Sequence, residues 1–186
     1  MAKALKGKEW FKVYSPSFFG EKLIGETPAM EPEKVMGRII DISLTDLTND
    51  PSRYYIKLFF KINKLDGNKG KTIFIGHECT RDFISRVVQL RTRRIDTNEV
   101  FTLTDTKIRI KTLAITNSHV TASVSQEIRR VINQTIKDEL VELDTEKFVM
   151  AFTAGQIQQT IRDKIKKIYP IRAFEFNKTH ILGLTK

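Results

Sequence analysis

Apolar and polar residues alternate over several stretches of the chain, and this alternation predicts its strands. In residues 36–44, Ile40 and Ile42 share one face while Asp41 and Ser43 occupy the other. A period of two is typical of a strand with one buried face. Strands are predicted at residues 10–14, 36–44, 54–62, 71–76, 95–103, 107–115, 171–176 and 180–184, with a hairpin loop at 66–70.

Farther along the chain, apolar residues recur at helical spacing. Ile128, Ile132 and Ile136 lie on one side of a segment that starts at Ser123 or Ser125. Such a stripe is typical of a helix that packs on a core. Further helices are predicted at residues 80–94, 144–153 and 156–168.

The order of these elements predicts the fold class. Strands come first and helices late, which favours an α+β fold. We predict a curled, antiparallel, barrel-like β-sheet with flanking α-helices. Prolines and glycines interrupt residues 1–35, so this segment is predicted to be an N-terminal arm with a short strand. Residues 36–186 are predicted to form a single α+β core domain.

The charge of the chain narrows its possible partners. The 186 residues include 32 lysines and arginines against 22 acids, giving a net charge of +10 and a pI near 9.7. This balance indicates a polyanionic partner. No apolar run approaches the roughly 18–20 residues that span a bilayer, and residues 1–12 lack the apolar region of a signal peptide. Nucleic acid is therefore favoured, and no membrane association is expected.

Two short motifs contain phosphate-binding or reactive residue types, and neither completes a site. The Gly-Lys-Thr sequence at 70–72 resembles the end of a phosphate-binding loop, but Leu65 replaces the required glycine and a strand follows. The side chains of the His-Glu-Cys sequence at 77–79 point in different directions, so a structural role is expected. Cys79 is the only cysteine, which excludes multi-cysteine zinc sites. We expect no catalytic residue, no metal site, no cofactor and no small-molecule substrate.

Basic residues give the strongest functional signal. Residues 80–138 carry 11 basic and 6 acidic side chains, which is half of the net excess, and 8 of the 11 are arginines. The planar guanidinium suits phosphate oxygens and stacks on bases. A solvated helix face explains any single one of these residues equally well, but their clustering favours RNA. The first cluster is Arg81, Arg86, Arg91, Arg93 and Arg94, the second is Arg129 and Arg130, and the third is Lys164, Lys166 and Lys167. Lys107, Arg109 and Lys111 are expected to face away from the core. The candidate RNA-binding residues are Lys3, Lys6, Lys8, Arg38, Lys69, Lys71, Arg81, Arg86, Arg91, Arg93, Arg94, Arg129, Arg130, Lys164, Lys166 and Lys167.

Several motifs, in order along nearly the whole chain, resemble one family of ribosomal proteins. The matching stretches are EWFKV at 9–13 with Pro16 and Phe18-Phe19, IGET at 24–27, GRIIDISLTDL at 37–47 with Asn49-Asp50, TRD at 80–82, Ile128-Arg129 and IYP at 168–170. Their order and spacing are similar to those of the archaeal and eukaryotic small-subunit ribosomal protein family S3Ae, also called eS1.

The resemblance implies a structural protein of the small ribosomal subunit with a barrel-like core, and not an enzyme. It implies a position on the platform near the mRNA exit, on ribosomes in the cytoplasm. The implied partners are small-subunit rRNA and neighbouring small-subunit ribosomal proteins. Eukaryotic members have a longer C-terminal extension, and this sequence ends at Lys186, so an archaeal-type member is expected.

One loop departs from the family pattern, and one alternative function remains open. The loop at 116–121 is strongly basic in eukaryotic members but has no lysine or arginine here. Any RNA contact there would depend on backbone and hydroxyl groups. The alternative function is a free-standing RNA-binding regulatory protein of similar fold. An enzyme acting on nucleic acid would need a reactive centre that these residues do not assemble.

Overall fold

The computed structural model describes residues 7–141 and 143–184. The chain divides into two compact units, residues 1–76 and residues 77–186. The strands are β1 (Glu9–Tyr14), β2 (Leu23–Ala29), β3 (Ile39–Ser43), β4 (Ile56–Asp66), β5 (Lys69–Cys79), β6 (Arg94–Thr102), β7 (Thr106–Thr116) and β8 (Ile171–Leu184). The α-helices of the described residues are α1 (Leu44–Thr48), α2 (Arg81–Val87), α3 (Ala122–Leu140), α4 (Thr145–Ala154) and α5 (Gln156–Lys166).

The first unit is a small sheet folded over an apolar cluster. Strand β1 pairs antiparallel with β2 and parallel with β5, while β4 pairs with β3 and β5. The side chains of Phe11 and Val13 in β1 pack with Val35 and Ile62 in this cluster. Because successive side chains of a strand point to opposite faces, Trp10, Lys12 and Tyr14 lie on the outer face of this sheet.

The second unit is an antiparallel sheet with helices on one face. Strand β7 pairs with β6 on one side and β8 on the other. Helix α3 packs against β6 and α5, and α5 packs against β8. Ile108 and Ile110 of β7 are fully buried, as are Ile132 of α3 and Ile161 of α5. Burying such apolar side chains stabilises the layer by about 1.5–3 kcal/mol each.

The predicted α+β class is confirmed, whereas the barrel-like closure is not. In the described part of the chain the strand order β2-β1-β5-β8-β7-β6 is open, and β4 and β3 branch from β5. The division predicted after residue 35 does not coincide with the boundary between the two units. That division stays a prediction.

Strand β2 was not predicted, because its glycine and prolines suggested an irregular segment. It lies at an end of the strand order, where a proline need not supply a hydrogen bond to a further strand. Pro28 sits opposite Trp10 and Gly25 opposite Val13 in the register with β1. Because β2 is an edge strand, it can contain a glycine and a proline and still form a strand.

Two predicted boundaries at the other end of the chain also need correction. The strands predicted at 171–176 and 180–184 are one strand, β8, in which register shifts interrupt the alternation. A bulge inserts one residue and reverses the order of inward and outward positions, which the sequence pattern reads as a break. Helix α2 ends at Val87, earlier than predicted, because a tight turn follows it.

Candidate nucleic-acid interface

A hydrogen-bonded turn between α2 and β6 presents Arg91, Arg93 and Arg94 of the first arginine cluster. Thr92 donates its side-chain hydroxyl to the carbonyl oxygen of Gln89 at 2.7 Å and accepts the Gln89 amide at 3.3 Å. Arg91 has a φ of 67°, in the left-handed region that a tight turn requires. Leu90, at the tip, is 95% exposed. The guanidinium of Arg172 in β8 donates to the side-chain oxygen of Gln89, which fixes the turn to the sheet.

The next arginine connects this turn to the loop after β7. Arg93 donates its amide to the hydroxyl oxygen of Thr116 at 3.1 Å, and the Thr116 amide donates to the Arg93 carbonyl oxygen at 3.0 Å. Asn117 then donates its amide to Pro170, and the hydroxyls of Ser118 and Tyr169 are 2.6 Å apart. The loop after β7 therefore lies between the first arginine cluster and the segment that follows α5.

The third cluster lies at the end of α5, just before that segment. Lys164 and Lys166 occupy the last turn of α5, and Lys167 caps it; all three side chains are exposed. Ammonium groups at a helix C-terminus are stabilised by the helix dipole. Lys166 pairs with Asp163 at 3.5 Å, an exposed contact that adds about 0–1 kcal/mol at most.

The second cluster meets the first at the start of β6. Arg94 pairs with the carboxylate of Asp96 at 2.9 Å, and Arg129 of α3 donates to the carbonyl oxygen of Asp96 at 3.2 Å. Because an exposed ion pair is weak, Arg94 can exchange the carboxylate of Asp96 for a phosphate at small cost. Arg129 is exposed as well, and its contact with Asp96 is one hydrogen bond to a backbone carbonyl oxygen. Arg130, the next residue of α3, is also exposed.

These contacts bring most of the predicted clusters of the second unit to one end of its sheet. We call this surface the basic end. It consists of Arg91, Arg93, Arg94, Arg129, Arg130, Lys164, Lys166, Lys167 and Arg172.

The other candidates lie elsewhere or have different surroundings. Lys3 and Lys6 are outside the described residues. Arg38 is half-buried and donates to the carbonyl oxygens of Lys34 and Pro28 and to the hydroxyl of Thr27, so its guanidinium braces the first unit. Five exposed candidates complete the set: Lys8, Lys69 and Lys71 in the first unit, and Arg81 and Arg86 on α2.

Sequence reasoning did not count a second cationic surface, the outer face of β7 and β8. Lys111 lies opposite Lys178 in the register of these strands, and Arg109 lies opposite His180. With Leu182, these residues line a shallow depression of about 290 Å³. Glu78 pairs with Lys178 at 2.9 Å and partly offsets the positive charge. Lys107, Arg109 and Lys111 were predicted to face outward, but only the pairing of the strands brings Lys178 of β8 beside Lys111.

The His-Glu-Cys sequence has the structural role predicted for it. His77 is completely buried, with ring nitrogens 2.6 Å from the Thr179 hydroxyl and 2.9 Å from the Phe176 carbonyl oxygen. Burial lowers the pKa of His77 to about 4, although the Phe176 contact opposes this. Burial also raises the pKa of the Cys79 thiol well above its usual range, so the thiol stays protonated and donates to the same carbonyl at 3.1 Å.

These groups cannot act as a nucleophilic pair. Such a pair needs a thiolate beside an imidazolium, whereas this arrangement keeps the thiol of Cys79 and the ring of His77 neutral. Among residues 7–141 and 143–184, no group of three or more potential ligands could hold a metal ion. The helices described here include none long and apolar enough to cross a membrane.

Clustered exposed cations on an α+β scaffold are typical of the class of nucleic-acid-binding proteins. Comparison with known families identifies the family. The chain belongs to the Ribosomal S3Ae family, whose model matches residues 2–184. The predicted family is confirmed, and with it the prediction that the protein is a ribosomal protein and not an enzyme.

Three archaeal relatives illustrate the similarity, and each is named small ribosomal subunit protein eS1. The Sulfolobus acidocaldarius protein is 37% identical over 183 residues, which covers 97% of this chain and 93% of the relative. The Methanococcus vannielii protein is 36% identical over 184 residues, covering 97% and 83%. The Desulfurococcus amylolyticus protein is 35% identical over 178 residues, covering 95% and 84%.

Proposed function

We propose that the protein is a structural constituent of the small ribosomal subunit and binds rRNA through the basic end. Membership of the Ribosomal S3Ae family, with relatives named as small-subunit proteins, carries this proposal. Its further partners are neighbouring ribosomal proteins, and it acts on ribosomes in the cytoplasm.

The basic end suits structured RNA better than a regular duplex. Its arginines project from a tight turn, a strand end and a helix, so they approach a ligand from several directions. Structured RNA is recognised through its shape, its phosphates and its unstacked bases. The loop at 116–121, which has no lysine or arginine, adds hydroxyl and amide groups between the cations.

We further propose a position on the platform near the mRNA exit and the 3′ end of the small-subunit rRNA. The sequence motifs shared with the family support this position. The buried thiol of Cys79 is unreactive, so a surface cysteine can carry a cleavage reagent selectively. A Lys166→Cys variant carrying tethered iron-EDTA is expected to cleave rRNA close to that 3′ end. Cleavage confined to distant rRNA segments would contradict the position.

The role itself is tested by sedimentation of native extract through a sucrose gradient. The protein is expected in near-equal molar amounts with small subunits and whole ribosomes, and it should stay there after a moderate salt wash. Cooperative contacts with rRNA and neighbouring proteins would resist the wash, although single phosphate contacts weaken with salt. Recovery mainly at the top of the gradient would instead support a free-standing RNA-binding regulatory protein.

We propose that the outer face of β7 and β8 also contributes to rRNA binding. Replacing Lys107, Arg109 and Lys111 by alanine is expected to lower the salt dependence of rRNA binding by about 2–3 in log–log slope, roughly one unit or slightly less per lost phosphate contact. These side chains are exposed, so stability should be unchanged. Filter binding across a range of salt concentrations measures the slope.

A matched control removes the same charge elsewhere. Lys34, Lys137 and Lys147 are exposed lysines on other elements and are not candidate RNA contacts. Their triple alanine variant should retain the wild-type slope. Equal slopes for both triple variants would remove the β7–β8 face from the interface.

A further inference from the structure

An exposed tryptophan lies among lysines on the outer face of the first unit. Phe11 and Val13 of β1 turn into the apolar cluster, so Trp10, Lys12 and Tyr14 share the opposite face. Trp10 is 61% exposed. Tryptophan is usually well buried in folded proteins, and its large apolar ring contributes little to the fold when it faces solvent. This exposure therefore needs an explanation outside the core.

The neighbouring strand adds cations to the same face. In the parallel register of β1 and β5, Lys12 lies beside Lys69 and Tyr14 lies beside Lys71. The Thr72 hydroxyl donates to the carbonyl oxygen of Tyr14 at 2.8 Å, which fixes this register. The three lysine side chains are exposed. Each of the two lysines of β5 therefore has a neighbour on β1: Lys69 lies next to a lysine, and Lys71 lies next to an aromatic ring.

The strand on the other side leaves this face positive. In the register of β1 and β2, Pro28 lies opposite Trp10, and Glu26 lies opposite Lys12. Glu26 is one carboxylate against the lysines of β1 and β5, and Lys8 just before β1 adds another cation. Pro28, opposite Trp10, adds no charge.

These features together fit one kind of ligand, a single strand of RNA. Aromatic rings stack on bases of any sequence, and lysines follow the phosphates of the same strand. A duplex hides the faces of its bases, so it could use the lysines but not the tryptophan. An acidic peptide could likewise pair with the lysines but would leave the indole without a stacking partner.

We propose that this face binds single-stranded RNA, with a base stacked on the indole of Trp10 and phosphates held by the lysines. We call the face the Trp10 platform, and it consists of Trp10, Lys12, Tyr14, Lys69 and Lys71. The proposal rests on the proposed function in that its ligand is RNA. It adds a single-strand site in the first unit to the rRNA contacts assigned to the second.

The fluorescence of the full chain tests the stacking directly, because Trp10 is its only tryptophan. Titration with a 12-nucleotide oligouridylate is expected to quench the emission strongly. Inorganic polyphosphate of similar charge should bind without comparable quenching, because it has no bases. A mixed-sequence RNA duplex should also leave the emission largely unquenched.

Substitutions then separate the ring from the charges, measured by the anisotropy of fluorescein-labelled oligouridylate. Trp10→Ala is expected to weaken binding about 10-fold, the usual cost of losing one stacked base, whereas Trp10→Phe should retain most of the affinity. Replacing Lys12, Lys69 and Lys71 together by alanine should lower the salt slope by about 2. Tyr54→Ala is the matched control, an aromatic that is 48% exposed and lies outside β1, β2 and β5.

Several outcomes would overturn the Trp10 platform. These are wild-type affinity of the Trp10→Ala variant, an equal loss in Tyr54→Ala, or quenching by polyphosphate as strong as by oligouridylate. Thermal unfolding of each variant checks that the fold is intact. Failure here would leave sedimentation with small subunits unchanged, whereas failure of the proposed function would appear in that gradient, so the two are distinguishable.

Discussion

Replacing Arg91, Arg93 and Arg94 by glutamate is expected to weaken binding to small-subunit rRNA by about 100-fold or more. Each change removes a cation from the basic end and places a carboxylate near the phosphates. Arg91 and Arg93 are presented by backbone and side-chain bonds of the turn and of Thr116, not by their own guanidinium groups. The turn should therefore persist in the variant, and the loss should be electrostatic.

Binding to rRNA over a range of salt concentrations measures this effect. The salt slope should fall by about 2–3 if each arginine neutralises one phosphate. A triple glutamate variant of Lys34, Lys137 and Lys147 lowers the net charge equally at other exposed positions and should lose much less affinity. If both variants bind equally well, the effect is one of net charge, and the first arginine cluster is not part of the site.

The second large effect concerns stability below neutral pH. Burial holds the pKa of folded His77 at about 4, against 6.5 for the unperturbed group. Between these values the unfolded chain binds a proton that the folded chain does not. The contribution of His77 to the free energy of unfolding is therefore complete above pH 6.5 and is lost as the pH falls towards 4. At pH 5 the free energy of unfolding should be about 2 kcal/mol lower than at pH 7.5 because of this residue.

Urea unfolding of wild type and His77→Gln at both pH values isolates the effect. The variant loses the contacts with Thr179 and Phe176, so its free energy of unfolding should be lower at pH 7.5. Because glutamine cannot titrate, that free energy should decrease less between pH 7.5 and pH 5 than it does in the wild type. His119→Gln, at an exposed position, is the control for the substitution of a histidine by glutamine. A His77→Gln variant with the full wild-type decrease would mean that other groups cause it.

The ring of His77 also explains why its sequence motif is not a reactive centre. It lies 4.1 Å from the ring of Phe152, centroid to centroid, in an apolar setting that excludes the charged form. The divergence of adjacent side chains argues from the sequence against a reactive site, and the structure gives a different reason. His77 and Cys79 lie on the same face of β5 and contact the same carbonyl oxygen, but burial keeps both neutral.

The sequence by itself determined the α+β class, most of the strands and helices, the net positive charge and the family. These properties follow from local periodicity, composition and ordered motifs, which need no knowledge of distant contacts. The strands at 107–115 and 54–62 are correct to within a few residues, because buried residues alternate with more exposed ones over most of β4 and the first half of β7. Where a bulge or an edge position alters that alternation, as in β8 and β2, the pattern misled.

Only the tertiary structure decided which cations share a surface. Arg94 and Arg129 are far apart in sequence but meet at Asp96, while Lys111 meets Lys178 through strand pairing. Arg38 is not part of such a surface, because its guanidinium donates to the carbonyl oxygens of Lys34 and Pro28. The physical reason is that long-range register and helix packing set these neighbours, and neither is encoded in the local pattern of any one segment.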